Sequence, residues 1–228
     1  MLDFPLIDRS VAEIAPDFRA ISILVDAGDP TRGPMARDVL GEACDFVRAG
    51  GPQWGEAHLA SWADVYSRFG AKPNRTPCSA QALKKRVEKD GRLPSINPLV
   101  DLYNAVSLRF AVPVGGENFD AYVGKPRLSI ADGTEAFDTV ANGEAIIEHP
   151  SVGEVIWRDD IGVTCRRWNW RQGTRTRLDS IGGRMWFILE SLETMPEEAL
   201  EEAANMLVTG LRQLAPGCEV YRQNLLAA

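Results

Sequence analysis

Residues Leu93–Gly116 read LPSINPLVDLYNAVSLRFAVPVGG, and the fold turns on how this stretch is read. Asn97 is a natural N-cap and Pro98 suits the first helical position. An apolar-periodic run follows, so the stretch predicts a helix from about Pro98 to Leu108. Leu99, Leu102, Tyr103, Val106 and Phe110 recur at three- and four-residue spacings and form one buried stripe. At roughly 100° per residue, Asn97, Asp101 and Asn104 fall elsewhere within an arc of about 60°. Asp and Asn compete with the backbone for hydrogen bonds inside a helix. This edge is therefore either a solvated face with a cap, or a carboxylate set between two amides at a site. Pro113, Gly115 and Gly116 follow at once and allow close approach of a backbone or ligand, which favours a site.

Upstream of this stretch, Phe18–Val25 is β-branched and apolar and predicts a buried strand. Pro34–Ala49 and His58–Phe69 carry helical stripes. Cys78–Asp90 predicts a further helix, with Ser79 as its cap, that presents Lys84, Lys85 and Arg86. Downstream the period changes. Pro126–Ala131 and Ala145–Glu148 read as strands, and Glu154–Arg158 with Gly162–Trp168 as a hairpin around residues 159–161. Arg184–Leu192 is a strongly apolar strand or strand-to-helix join, Pro196–Leu214 a helix and Cys218–Gln223 a short strand. Helices cluster early and strands late. The expected class is α+β, a mixed sheet with helices packed mainly from the N-terminal half, rather than a regular parallel α/β sheet.

With 228 residues and 45% hydrophobic content, the chain has enough material for one folded unit over residues 1–228. It has no run of eighteen apolar residues and its start, MLDFPLIDRS, lacks signal-peptide features, so no membrane association is expected and the expected compartment is the cytoplasm. Cys44, Cys78, Cys165 and Cys218 are dispersed and only His58 and His149 supply imidazole, which suggests no metal site, disulfide framework or cofactor. The formal charge of −7 argues against non-specific coating of nucleic acid but permits a local basic surface.

Such a surface is suggested by Val163–Gly173, VTCRRWNWRQG. As a strand it would put Cys165, Arg167 and Asn169 on one side and Arg166, Trp168 and Trp170 on the other. An arginine beside two indoles suits anions and flat groups such as unpaired bases. The same pattern also suits a tryptophan pair packed in the core under arginine stems.

Together, Ser79–Leu83, LPSINPLVDLYNAVSL, PVGGENFD at Pro113–Asp120, GEVIWRDD at Gly153–Asp160 and CRRWNWR at Cys165–Arg171 resemble free-standing B3/B4-type domain proteins. These are similar to the tRNA-editing domain of the phenylalanyl-tRNA synthetase β subunit. The resemblance covers roughly Trp62 to Leu192. It implies a tRNA-binding fold and, by analogy with the synthetase domain that removes wrongly attached tyrosine, a trans-acting aminoacyl-tRNA deacylase without ligase activity. In the synthetase domain the mischarged 3′ end lies in a pocket lined partly by the segment matching Asn104–Gly116. The synthetase pattern usually carries a histidine two residues after the proline matching Pro113, and this chain has Gly115 there.

An aminoacyl ester is already activated, so placing a water and stabilising the oxyanion supply much of the rate. The expected catalytic set is Asn104, Asp101, Gly115 and Gly116. Backbone N–H groups around Val114–Gly116 would hold the carbonyl oxygen, and Asn104 and Asp101 would orient water or the substrate ammonium. Asn97, Ser107 and Val114 are expected to line the substrate, with Glu154 or Asp160 on the ammonium. Lys84, Lys85, Arg166, Arg167, Arg171 and Trp168 would contact tRNA phosphates and the terminal adenosine. The competing class is a non-catalytic module that binds RNA or an amino-acid derivative.

Overall fold

The computed structural model describes residues 5–28 and 38–226. In chain order the elements are β1 (Leu6–Ile7), α1 (Arg9–Ile14), β2 (Arg19–Asp26), α2 (Val39–Arg48), α3 (Gly55–Arg68), α4 (Ser79–Asp90) and α5 (Pro98–Phe110). Then follow β3 (Val114–Asn118), a 3-10 turn (Phe119–Ala121), β4 (Arg127–Ile130), β5 (Phe137–Ala141), β6 (Glu144–Glu148), β7 (Val155–Arg158), β8 (Val163–Arg166) and β9 (Arg171–Gln172). The chain ends with β10 (Arg184–Ser191), α6 (Glu197–Leu214) and β11 (Glu219–Leu226). The class is α+β.

A four-stranded antiparallel sheet, ordered β11-β2-β10-β3, forms the central layer. Its strands alternate by two, so each face has its own core. Ile21, Ile23, Val25, Phe187 and Leu189 face α5 and α6, meeting Leu102, Val106, Leu207 and Leu211. Gly210 lets α6 pass directly over Leu102, where a Cβ would collide with the leucine methyls. Ala20, Leu24, Trp186 and Ile188 face the other way, onto Trp62 and Tyr66 of α3 and onto Trp157. Trp157 belongs to a mixed sheet ordered β1-β4-β7-β8-β5-β6, with β9 on β8; β1–β4 and β5–β8 are its parallel pairs.

Helix α5 begins as its composition requires. The Asn97 side chain accepts from the N–H groups of Leu99 and Val100, and Pro98 fills the first turn. The helix runs one turn's fraction past the expected end, to Phe110, and Ala111 closes it in the left-handed region. Three details correct the sequence reading. Cys78, not Ser79, precedes α4, and the buried Ser79 hydroxyl finds no partner among the described residues. The segment after Pro113, for which the sequence pattern gives no strand, is β3, because β10 supplies a ladder, and the close approach its glycines allow is that of the β10 backbone. Phe137–Ala141 is also a strand, paired with both β6 and β8. Of the expected helix over Pro34–Ala49, the described part starts at Val39; residues 29–37 lie outside the described residues. No helix among the described residues is long and apolar enough to cross a membrane.

Candidate active site

The pairing of β3 with β10 sets Gly115 against Ile188 and Glu117 against Trp186. Strand alternation then turns Gly115, Glu117, Trp186, Ile188 and Glu190 toward the same side, away from α6. Over this side lean Asn104 and Tyr103 of α5, Leu83 and Arg86 of α4, and the segment Trp168–Gln172, which comprises the end of the turn after β8 and the strand β9. Together they enclose a cleft of about 300 Å³. Gly115 shapes the floor. A Cβ there would meet only Ile188 Cγ2 within 4 Å, at 3.2 Å, so a larger side chain would rise into the cleft.

Those glutamates are the strongest chemical feature of the cleft. Glu117 is 5% exposed and Glu190 1%, yet neither is hydrogen-bonded by an arginine or lysine among the described residues. Glu190 Oε1 accepts both indole N–H groups, of Trp157 and Trp168, at 2.9 Å. Its Oε2 accepts the Asn169 amide at 3.0 Å, and Asn169 Oδ1 in turn accepts the Tyr66 hydroxyl. Glu117 accepts the Tyr122 hydroxyl, which lies 3.1 Å from Thr164 Oγ1. Removal from water disfavours the charged form, and the neutral donors recover only part of that loss. Burial therefore pushes both carboxyls up to about 7. Each is poised to hold or release a proton near neutrality. Cys165 also lines the cleft, but burial raises its thiol well above the ordinary range, so it is not a thiolate nucleophile.

The edge of β3 adds a donor. The Gly116 carbonyl accepts from Gln172 Nε2 at 2.9 Å, so the Gly116 peptide N–H, on the same edge of the strand, also points away from β10. Asn104 borders this edge, and its amide makes no hydrogen bond to a described residue.

Every side chain of this cleft lies inside residues 61–210, the range that matches the profile of the B3/4 domain. The chain belongs to the B3/4 domain family. No curated protein matches it. Among solved structures it is similar to an N-terminal fragment of the phenylalanyl-tRNA synthetase β subunit from Pyrococcus horikoshii, at 12% identity and a TM-score of 0.46. That alignment covers 97% of this chain and 53% of the fragment, so the chain spans about half the fragment's length.

In this B3/4 protein the cleft unites Asn104, Val114, Gly115, Gly116, Trp168 and Arg171 from among the residues expected at the site. The others are placed elsewhere or engaged. Asp101 accepts from the Ser95 hydroxyl and the Ile96 N–H, tying down the loop before α5. Asn97 is occupied as the helix cap, and the buried Ser107 hydroxyl donates to the Val112 carbonyl at 2.7 Å. Glu154 is forked by Arg166, whose Nε and Nη2 lie 2.9 and 2.8 Å from its two oxygens, and Asp160 pairs with Arg127 at the surface. Lys84 sits between Glu56 and Glu88, whereas Lys85 is exposed. Trp168 has no exposed surface. Its ring packs on Phe18 and Trp62, so it forms a wall of the cleft and offers no free face for a base.

The alternation expected across Val163–Gly173 breaks after Arg166. Arg167 and Trp168 both adopt left-handed backbone, at φ 47° and 65°, which costs on the order of 1 kcal/mol each for non-glycine residues. Arg167 N–H to Glu154 Oε1 (3.0 Å) and Trp168 N–H to the Val155 carbonyl (2.6 Å) hold the turn. The reversal sends Trp168 inward and leaves Arg167 stacked on Trp170, 4.4 Å from the ring centroid. Sequence reading missed Glu117, Glu190, Asn169, Gln172 and, as a cleft residue, Arg86. Glu190 carried a signal, a single carboxylate inside the apolar run RMWFILESL, where an unpaired charge needs a reason.

Proposed function

We propose that this B3/4 protein is a trans-acting aminoacyl-tRNA deacylase whose ester-binding site is the cleft between α5, β3 and β10. The observation that carries the reading is the meeting, in one small hollow, of two titratable carboxyls, the Asn104 amide, which has no hydrogen-bond partner among the described residues, and the Gly116 N–H, with Arg86 and Arg171 beside them. The aminoacyl side chain enters over Gly115 against Trp157, Trp186 and Ile188, and the arginines receive the phosphates that follow the terminal nucleotide.

In this scheme the Gly116 N–H faces the carbonyl oxygen as negative charge develops on it. Asn104 orients a water that adds to the carbonyl carbon. Glu117 takes the proton of that water and returns it to the departing ribose oxygen as the ester C–O bond breaks, leaving a free amino acid and an uncharged RNA. Glu190 donates or accepts a hydrogen bond at the far end of the pocket and governs which side chains are admitted. The test is release of amino acid from a panel of aminoacyl-tRNAs, including nonprotein amino acids, by the full chain. Turnover of at least one substrate above buffer is expected, and background loss across the panel refutes the reading.

A second reading is a module that binds the same ligand without turnover. One observation favours it: the cleft holds no imidazole. His58 is buried elsewhere, between the Ala111 carbonyl and the Leu192 N–H, and His149 bonds the Glu135 carbonyl. Binding of a non-hydrolysable aminoacyl ester analogue with no turnover of any ester would establish it.

A further inference from the structure

A second hollow, of about 270 Å³, opens on the other side of the Arg167–Trp170 stack. Its walls come from two connections, the loop between α3 and α4 (Phe69–Thr76) and the approach to β7, with Lys72, Arg75, Thr76, Ser151, Glu154 and Arg167 carrying its chemistry. The first cleft has buried carboxyls and apolar walls. This hollow instead has cations at its rim.

We infer that this second hollow is a seat for a phosphate group of single-stranded RNA, next to the cleft that takes the esterified end; the inference rests on the deacylase reading for the identity of that RNA. Four observations support it. Lys72 and Arg75 are exposed, and neither makes an ion pair with a described residue, so both are available to an incoming anion. The one carboxylate in the wall is already engaged, since Glu154 is forked by Arg166 and accepts the Arg167 N–H, which leaves it little capacity to repel a phosphate. The loop is built in advance. The N–H groups of Arg75 and Thr76 both bond the Lys72 carbonyl, at 2.8 and 2.9 Å, and Pro73 and Pro77 restrict the segment, so holding the cations in place requires little further ordering. The partition between the hollows is an arginine laid on an indole, held by two successive left-handed residues. It offers a stacking surface at the point where a strand would pass from one hollow to the other, with the Arg167 guanidinium itself paired to Glu154, Nε to Oε2 3.7 Å. The half-exposed Phe69 adds an aromatic edge on the far wall. Cations interleaved with aromatic rings are the composition that single-stranded RNA requires. Here they are concentrated at one corner of a chain whose formal charge is −7.

The test uses the full chain and a fluorescent RNA hairpin with a single-stranded tail ending in CCA, titrated at several salt concentrations. Lys72→Ala/Arg75→Ala changes two exposed side chains and is expected to weaken binding about tenfold at low salt and to lower the slope of log K against log salt by about one unit. Arg48→Ala/Arg212→Ala removes the same charge from α2 and α6 and should leave the slope unchanged. Equal losses for the two double variants would mean a diffuse field and overturn the assignment. Inorganic phosphate is the second probe. If its binding depends on Lys72 and Arg75 while RNA affinity does not, the hollow takes a free anion and the RNA assignment falls. The outcome separates from that of the deacylase reading. Slope dependence without ester turnover leaves the phosphate seat standing and removes the enzyme, whereas turnover with KM and slope unchanged in Lys72→Ala/Arg75→Ala does the reverse.

Discussion

Glu154 and Glu190 are buried to nearly the same extent, 3% and 1% exposed, but the protein treats them differently. Glu154 meets the Arg166 guanidinium in a two-pronged pair, and Glu148 takes a third guanidinium nitrogen at 2.9 Å. That group is a charged strut joining β6, β8 and the turn before β7. Glu190 meets two indoles and an amide, all neutral donors, and burial holds its carboxyl up to about 7. Two buried acids with unlike partners thus serve unlike ends. One stays paired and braces the fold, and the other borders a cleft in a state that a ligand or a small change of pH can alter.

The sharpest way to break this contrast is in the cleft. Glu117→Gln removes the proposed proton carrier and is expected to lower ester hydrolysis by roughly 10²-fold or more while the protein still binds a non-hydrolysable analogue. Unchanged single-turnover rates would remove Glu117 from the chemistry. Next in size is the strut. Glu154→Ala leaves the buried Arg166 guanidinium with Glu148 as its one remaining carboxylate partner among the described residues and should cost about 3 kcal/mol in urea unfolding, and a loss within experimental scatter would mean that Glu148 alone suffices.

A third prediction concerns pH. Because Glu117 and Glu190 are raised from 4.5 to about 7, the fold favours their protonated forms. Their contribution to stability is full below about 4.5 and is lost as pH rises through about 7. His58 acts in the opposite sense. Burial lowers it to about 4, so its contribution is full above 6.5 and is lost as pH falls through about 4. Glu190→Gln keeps a neutral group in place, so its melting temperature should change less than the wild type's between pH 5 and 8. Parallel curves would contradict the assignment. The smallest effect belongs to Asn97→Ala, which removes a helix cap and should cost about 1 kcal/mol with hydrolysis per folded molecule unchanged. A specific loss of activity there would return Asn97 to the site.

Local signals were read correctly where local physics governs. The cap at Asn97, the stripe of α5, the apolar strand β2 and the helix α6 all depend on residues within a few positions of one another, and of the two readings open for Arg184–Leu192 the strand is the one that forms. The order of helices before strands carried the fold class. The site was only partly legible. Asn104 and the Gly115–Gly116 pair were visible as odd residues in a regular pattern, but Asp101 and Asn104 share a helix edge without sharing a task, because side-chain direction along the edge decides which one reaches the cleft.

Sequence alone determined the helices α3 to α6, the strongly apolar strand β2, the family and the polar helix edge, since capping, hydrophobic period and long motifs are written in contiguous residues. The tertiary structure decided that Glu117 and Glu190 share a cleft, which requires β3 to pair with β10 in one register across a long separation in the chain. It also decided the fates of Arg167 and Trp168. Two left-handed residues overrule the strand alternation there, and no property of arginine or tryptophan announces that backbone conformation in advance.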